Sequence, residues 1–181
     1  MKALILFAAM TAALTAGPNQ ATVYLINNAA VPFQKQAIAT GIVDRIYHEI
    51  DIDIHWNLGS PPRGSGDVIV LEIKSGTPRN VFPGALAYAK PYEGVHIVVF
   101  YDRLRHKSHS EHILAHVMAH EIGHVLQGIE SHSESGLMKA AWTLEDYSAM
   151  SYKPLKFTSR DVKLIRLGLA YRSRKVQTSK R

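Results

Sequence analysis

The residues best suited to chemistry are the two histidines and the glutamate of His120-Glu121-Ile122-Gly123-His124. Histidines four positions apart project from the same face of a helix, one turn apart. Two imidazole nitrogens in that arrangement can bind one Zn²⁺ at about 2.0–2.1 Å. Glu121 can direct its carboxylate at a metal-bound water, whose pKa the ion lowers to about 7. The pattern therefore predicts one catalytic zinc ion, with Glu121 as the general base.

The sequence around this motif predicts the helices that position it. We predict a helix over residues 111–127, with apolar residues on both sides of the motif, and Gly128 at its end. Upstream, Pro32 begins a helix in which isoleucine recurs every four residues as far as Ile50. Thr158 and Asp161 have the spacing of a cap for a closing helix.

Strand-like segments complete the predicted domain. They lie at residues 22–26, 52–56, 67–73, 84–91 and 95–101. The continuous apolar middle of 67–73 suits a central strand, and the small residues and proline of 84–91 suit an edge strand. The region 129–152 has no regular pattern. We therefore expect an α+β domain with a mixed sheet.

Two histidines leave the proposed ion short of a protein ligand. His132, Glu130 and Glu145 are the candidates. His132 is preferred because Gly128 would let the chain turn back beneath the helix end, and a third imidazole suits a site of three protein ligands and a water. Glu130 and Glu145 stay open as alternatives.

The other histidines are not expected to bind the ion. His112 and His116 continue the four-residue spacing, but each step drifts by about 40° around a helix, so we expect them to be exposed or only near the ligands. Four more have no partner pattern and are taken as ordinary side chains: His55, His96, His106 and His109.

The two ends of the chain differ in character from its middle. Residues 1–17 have the pattern of an export signal, because Lys2 precedes an apolar stretch. That stretch has about 12 residues, fewer than the roughly 20 that a membrane-spanning helix needs. Residues 18–171 would form the domain, and 172–181 a basic, disordered tail. We therefore expect a secreted or periplasmic protein without membrane attachment after cleavage.

Composition narrows the possible partners. The 181 residues suffice for one domain, and the chain has no cysteine, so it can form no disulfide. The formal net charge is +6, but no aromatic residues alternate with the basic ones to make a stacking surface. We expect a monomer that binds a protein or peptide substrate and no nucleic acid.

The motif resembles that of the metzincins, and most of all that of the matrixin-like members. Those carry His-Glu-x-x-His-x-x-Gly-x-x-His followed by a methionine turn. The first half matches, but Gly128 comes one place late and His132 two places late, with Glu130 at the family's third-ligand position. The resemblance implies a mixed twisted sheet of about five strands with an antiparallel edge strand, an active-site helix and a C-terminal helix.

The resemblance also implies a methionine beneath the ion. Met138, in the segment 132–138, is the preferred candidate. Met150 is the alternative, and it would leave Tyr152 placed to assist at the ion.

These features together predict a zinc-dependent endopeptidase. An extended peptide would pair with the edge strand over residues 86–89, and Glu121 would move protons between water and the leaving amine. Two rival hypotheses are a zinc hydrolase of a non-protein amide, such as a cell-wall crosslink, and an exported binding module without turnover. The intact Glu121 argues against the second.

Overall fold

The computed structural model describes residues 19–79, 81, 83–89 and 95–178. Five strands, four α-helices and a short 3₁₀ helix (Tyr101–Arg103) are found within these ranges. In chain order they are β1 (Gln20–Asn27), α1 (Phe33–His48), β2 (Asp53–Leu58), β3 (Ile69–Lys74), β4 (Ala87–Ala89), β5 (His96–Phe100), α2 (Ser110–Gln127), α3 (Leu144–Met150) and α4 (Ser159–Thr178).

The strands form one mixed sheet in the order β2-β1-β3-β5-β4. Strands β1, β2, β3 and β5 are parallel to one another, and β4 pairs antiparallel with β5 at the edge, with Ala87 opposite Val99. β3 lies in the middle and is nearly all buried, as its continuous apolar run predicts. The predicted five-stranded sheet, its central strand and its antiparallel edge strand are confirmed.

The main core lies between the sheet and the helices. In β1, Ala21, Val23 and Leu25 are buried on one face, while the residues between them are half-buried. This alternation is typical of a strand with one face in the core. From α1, Ile42 and Ile46 join that core, but Ile38 is 39% exposed, so only part of the isoleucine repeat packs.

Helix α2 is buried on all sides rather than amphipathic. Every residue from Ile113 to Gln127 is buried, because α1, α4 and the sheet surround the helix. Tyr47 of α1 donates a hydrogen bond of 2.8 Å from its hydroxyl to the carbonyl oxygen of Ala119. Gly128 ends the helix with φ 69°, a conformation that glycine adopts without strain, as predicted.

Helix α4 begins as the sequence predicts and continues further. Asp161 accepts a hydrogen bond from the backbone N–H of Thr158, and Thr158 Oγ1 accepts one from that of Asp161. The helix then passes very close to α2, since a Cβ on Gly168 would lie 1.8 Å from the carbonyl oxygen of Leu126. Glycine at this position therefore allows the two helices to pack.

Two predictions need correction. The helix continues to Thr178, and Arg172 forms an ion pair of 2.6 Å with Asp67, so residues 172–178 are not a disordered tail. The region 129–152 is not wholly irregular, because it contains α3, which a capping box between Thr143 and Asp146 begins.

Some predicted segments lie outside the described residues. These are the signal at 1–17, the end of the edge segment at 90–91 and the last three residues of the predicted tail. Within the described ranges, no helix has both the length and the apolar character to cross a membrane.

Candidate metal centre

Three histidines meet at the C-terminal half of α2. One ligand nitrogen from each of His120, His124 and His132 lies within 4.8 Å of the others. The Nε2 atoms of His120 and His124 are 2.9 Å apart, since the helix places them on one face. The ring of His132 is stacked near His120, with centroids 5.5 Å apart, and edge-on to His124 at 4.8 Å.

The main chain fixes which nitrogen of His120 is free. Its Nδ1 lies 2.9 Å from the carbonyl oxygen of Leu137, and because a carbonyl can only accept, Nδ1 carries the proton. The lone pair is therefore on Nε2, which points toward His124. A hydrogen bond of this kind commonly orients a metal-binding histidine.

Both helical histidines are held neutral. Burial lowers the pKa of His120 to about 4 and that of His124 to about 3. The Nδ1 atom of His124 is buried without a hydrogen bond of good geometry, although the main chain of Ile129 favours a proton on this ring. Neutral imidazoles are the form that binds a metal ion.

Glu121 lies beside the histidines, and only 8% of its surface is exposed. Burial and the negative charge of Glu130 raise its pKa to about 8, and a backbone hydrogen bond from Ala89 of β4 acts in the opposite direction. The carboxylate thus lies between the helix and the edge strand. With no ion beside it, a group with a pKa of about 8 is mostly protonated at neutral pH; the positive charge of an ion on the histidines would lower that pKa, and the position then suits a general base that must meet substrate bound along β4.

His132 reaches the cluster from a loop and is exposed. The next residue holds the loop in place: the backbone N–H of Ser133 donates to the carbonyl oxygen of Met138 at 2.7 Å, and Ser133 Oγ donates to Asp161 Oδ1 at 2.6 Å. Asp161 is itself only 2% exposed at the start of α4. The loop is therefore anchored to α4 directly after His132.

Met138 lies beneath the helix turn that carries the motif. It is fully buried, and its sulfur would be 2.8 Å from a Cβ placed on Gly123. Gly123 stands between the two helical histidines, so the methionine packs directly below them. Met150 is buried elsewhere, at the end of α3, and its carbonyl oxygen accepts from His112. The geometry thus favours Met138 over Met150 as the floor of the site.

The other predicted candidates do not join the cluster of ligand atoms. Glu130 lines the cleft, and Glu145 is exposed in the first turn of α3. Tyr152 is 77% exposed. Of the two alternatives predicted for His116, exposed or near the ligands, exposure is wrong: the side chain is fully buried, its Nδ1 donates to the carbonyl oxygen of His112, and its Nε2 accepts from the N–H of Leu155.

Trp142 is a site residue that the sequence reasoning missed. Its Nε1–H donates at 3.2 Å to the same carbonyl oxygen of Leu137 that orients His120. Its ring is edge-on to His120 at 5.6 Å and to Tyr147 at 6.1 Å. The one available signal was a tryptophan shortly after the predicted methionine turn.

A cleft of about 450 Å³ opens onto the three histidines and Glu121. The residues that line it include 83–89, which contain β4, and also Val117, Trp142 and Tyr147. Because β4 is the edge strand, one of its sides has no strand partner among the described residues. The cleft therefore combines an edge for main-chain pairing with an aromatic wall.

The donors present fit a zinc ion. Nitrogens about 2.0–2.1 Å from a tetrahedral ion are roughly 3.3 Å apart, close to the 2.9 Å between the helical Nε2 atoms. An ion on Nε2 of His124 would leave its proton on Nδ1, beside the main chain of Ile129. The three imidazoles are a donor set that zinc binds with one position left open.

Comparison with known proteins identifies a relative in fold. The chain is similar to archaemetzincin from Methanopyrus kandleri. That crystal structure matches with a TM-score of 0.57 and 18% sequence identity, over 87% of this chain and 99% of the other. No protein-family model and no curated protein sequence matches the chain. At this identity the similarity to archaemetzincin concerns the fold alone, which confirms the predicted α+β architecture and gives no support to the narrower matrixin-like assignment.

Proposed function

We propose that this protein is a zinc-dependent peptidase in which His120, His124 and His132 hold one ion and Glu121 is the general base. The observation that carries the proposal is the convergence of three imidazole nitrogens within 4.8 Å of one another, beside a buried carboxylate and at the base of a cleft. The fold shared with archaemetzincin supports it. A structural zinc site would instead be closed by a fourth protein ligand.

The chain's own groups suit peptide hydrolysis. Zinc bound there would polarise the scissile carbonyl and lower the pKa of a bound water. Glu121 would take the proton from that water and pass it to the leaving amine. Residues 86–89 would hold an extended substrate by main-chain hydrogen bonds, as a peptide added to a sheet edge.

The aromatic wall of the cleft suits an apolar substrate side chain. Trp142 and Tyr147 lie at right angles with centroids 6.1 Å apart, and Val117 faces the same space. Burying an apolar side chain against such a surface contributes about 1.5–3 kcal/mol. We propose endopeptidase activity in which this wall selects substrates with an apolar side chain. Export and a monomeric state remain predictions from the sequence.

The test is Glu121→Gln, measured for zinc content and for hydrolysis. We expect zinc to stay bound while hydrolysis falls by about 10²–10⁴-fold, because the amide cannot accept the proton. Glu145→Gln is the matched control and should hydrolyse like the wild type, since it changes an exposed carboxylate that does not line the cleft. Casein digestion and peptidoglycan hydrolysis are assayed in parallel. Full activity of Glu121→Gln would refute the mechanism, and activity on peptidoglycan alone would refute the peptidase.

A further inference from the structure

A second group of metal-binding side chains lies at the other end of α2. Ligand atoms of His109, Glu111 and His112 all lie within 4.8 Å of one another. His109 precedes His120 by 11 positions, or about 16 Å along a helix axis at about 1.5 Å per residue. The group is therefore separate from the candidate metal centre.

We propose that His109, Glu111 and His112 form a second binding site for a divalent transition-metal ion such as Zn²⁺. Two imidazoles and a carboxylate are a donor set that zinc accepts, with further positions open to water. The site does not depend on the proposed peptidase activity. It revises the expectation, drawn from the sequence, that the chain holds one ion and that neither His109 nor His112 is a ligand.

The main chain leaves one ring nitrogen of His112 free to bind an ion. Its Nδ1 lies 2.9 Å from the carbonyl oxygen of Met150, which can only accept, so the proton is on Nδ1 and the lone pair on Nε2. The ring is half-buried and held against the end of α3. A main-chain carbonyl orients His120 in the same way at the candidate metal centre.

His109 completes the imidazole pair. It adopts the left-handed conformation, φ 53° and ψ 41°, at the residue before the first turn of α2. Its ring is edge-on to that of His112, with centroids 5.8 Å apart. Because His109 is exposed, an ion from solvent can reach it without any rearrangement of the core.

Glu111 supplies the negative charge. Partial burial would raise its pKa, but its hydrogen bonds and the nearby Lys35 lower it overall, so the carboxylate is ionised at neutral pH. Lys35 Nζ lies 3.3 Å from Oε2 of Glu111 and also donates to Ser110 Oγ at 2.7 Å. This ammonium group is the cation with which a metal ion must compete, and the competition provides a direct test.

The surroundings separate this second group from the proposed hydrolysis. The cleft at the candidate metal centre is lined by α2 residues from Val117 onward, whereas this second group lies at the start of the helix. An ion here would instead hold together three side chains at the start of α2, where His112 is already hydrogen-bonded to the carbonyl oxygen of Met150 at the end of α3. Since an ion that binds only the folded chain stabilises it, zinc should raise the melting temperature.

The experiment counts ions on the purified protein by equilibrium dialysis against buffered zinc. We expect one tightly bound ion and a second that binds more weakly, and we expect His109→Ala to weaken the second at least tenfold while the first is unchanged. The matched control is His106→Ala with His55→Ala, two exposed histidines outside the cluster. One ion in the wild type, or equal loss of the second ion in the control, would overturn the proposal.

A second variant tests the role of Glu111 without touching a proposed ligand. Lys35→Ala removes the competing ammonium group, so the second ion should bind several-fold more tightly. The zinc-dependent rise in melting temperature should then appear at lower zinc concentration. Unchanged or weaker binding in Lys35→Ala would show that Glu111 is not a ligand and that the three-residue site is wrong.

Discussion

His120 and His124 stand on a helix that is buried from Ile113 to Gln127, whereas His132 lies in a loop and is exposed. The helical pair is fixed by the repeat of the helix and by packing on every side. His132 is fixed by contacts of its neighbour Ser133 with Met138 and Asp161. The same cluster is thus built from a pre-organised half and a half that depends on distant contacts. Zinc affinity should reflect this difference.

The largest effect is expected from removing a helical ligand. His124→Gln, which keeps much of the side-chain volume, should weaken zinc binding by more than the roughly 10–100-fold typical of residues that only orient a ligand. His132→Ala should weaken it by less than His124→Gln, because a loop ligand must be ordered when the ion binds. Zinc affinity is measured by competition with a chelating dye.

Two controls sharpen this comparison. Circular dichroism shows whether each variant remains folded, and Glu130→Ala tests the carboxylate that was the rival third ligand. We expect Glu130→Ala to bind zinc like the wild type. A larger loss in His132→Ala than in His124→Gln would contradict the distinction between the two halves, and a large loss in Glu130→Ala would contradict the choice of His132.

An intermediate effect is expected at the anchor of the loop. Asp161 accepts hydrogen bonds from Ser133 Oγ at 2.6 Å and from Thr158 N–H and Oγ1 at 2.8 and 2.7 Å. Asp161→Ala should lower the free energy of unfolding by about 1–3 kcal/mol and weaken zinc binding about tenfold, because the cap of α4 and the loop contact are both lost. Urea denaturation and zinc competition measure the two effects.

Ser133→Ala separates the two roles of Asp161. It removes the contact to the loop but leaves the bonds between Thr158 and Asp161. We expect a smaller loss of stability than in Asp161→Ala, with a similar change in zinc affinity. If Asp161→Ala destabilises the protein while zinc affinity is unchanged, the anchor does not hold His132 in place.

The helical half could be predicted from the sequence because its geometry is local. A spacing of four places His120 and His124 on one face of any helix, and Gly128 marks where that helix ends. The sheet was predictable for a similar reason, since each strand has its own apolar pattern. These elements needed no knowledge of what packs against them.

The remainder depends on contacts between distant residues. The all-round burial of α2, and with it that of His116, follows from the packing of α1, α4 and the sheet around the helix. From the sequence, Arg172 belongs to a basic tail, and only the fold brings it beside Asp67. For α3 a local signal did exist, the capping spacing of Thr143 and Asp146, but a helix of seven residues has little periodicity to support it.

The smallest effect is expected at Trp142, which belongs to neither half of the cluster. Its Nε1–H donates to the carbonyl oxygen of Leu137 that also orients His120. Trp142→Phe keeps an aromatic ring beside His120 and removes only the donor. We expect a loss of less than tenfold in zinc affinity and about 0.5–1.5 kcal/mol in stability.

Trp56→Phe is the matched control for this change. Trp56 also donates from Nε1, at 2.7 Å to Asp44 Oδ1, but it lies in β2 at the opposite edge of the sheet from β4. That variant also loses a hydrogen bond from an indole N–H, here to a carboxylate, and should bind zinc like the wild type. If the two variants have the same zinc affinity, the indole of Trp142 does not help to position His120 and serves only as part of the wall of the cleft. If Trp142→Phe loses more zinc affinity than His132→Ala, the carbonyl oxygen of Leu137 matters more to zinc binding than the loop ligand does. The contrast between the helical ligands and the loop ligand would then be wrong.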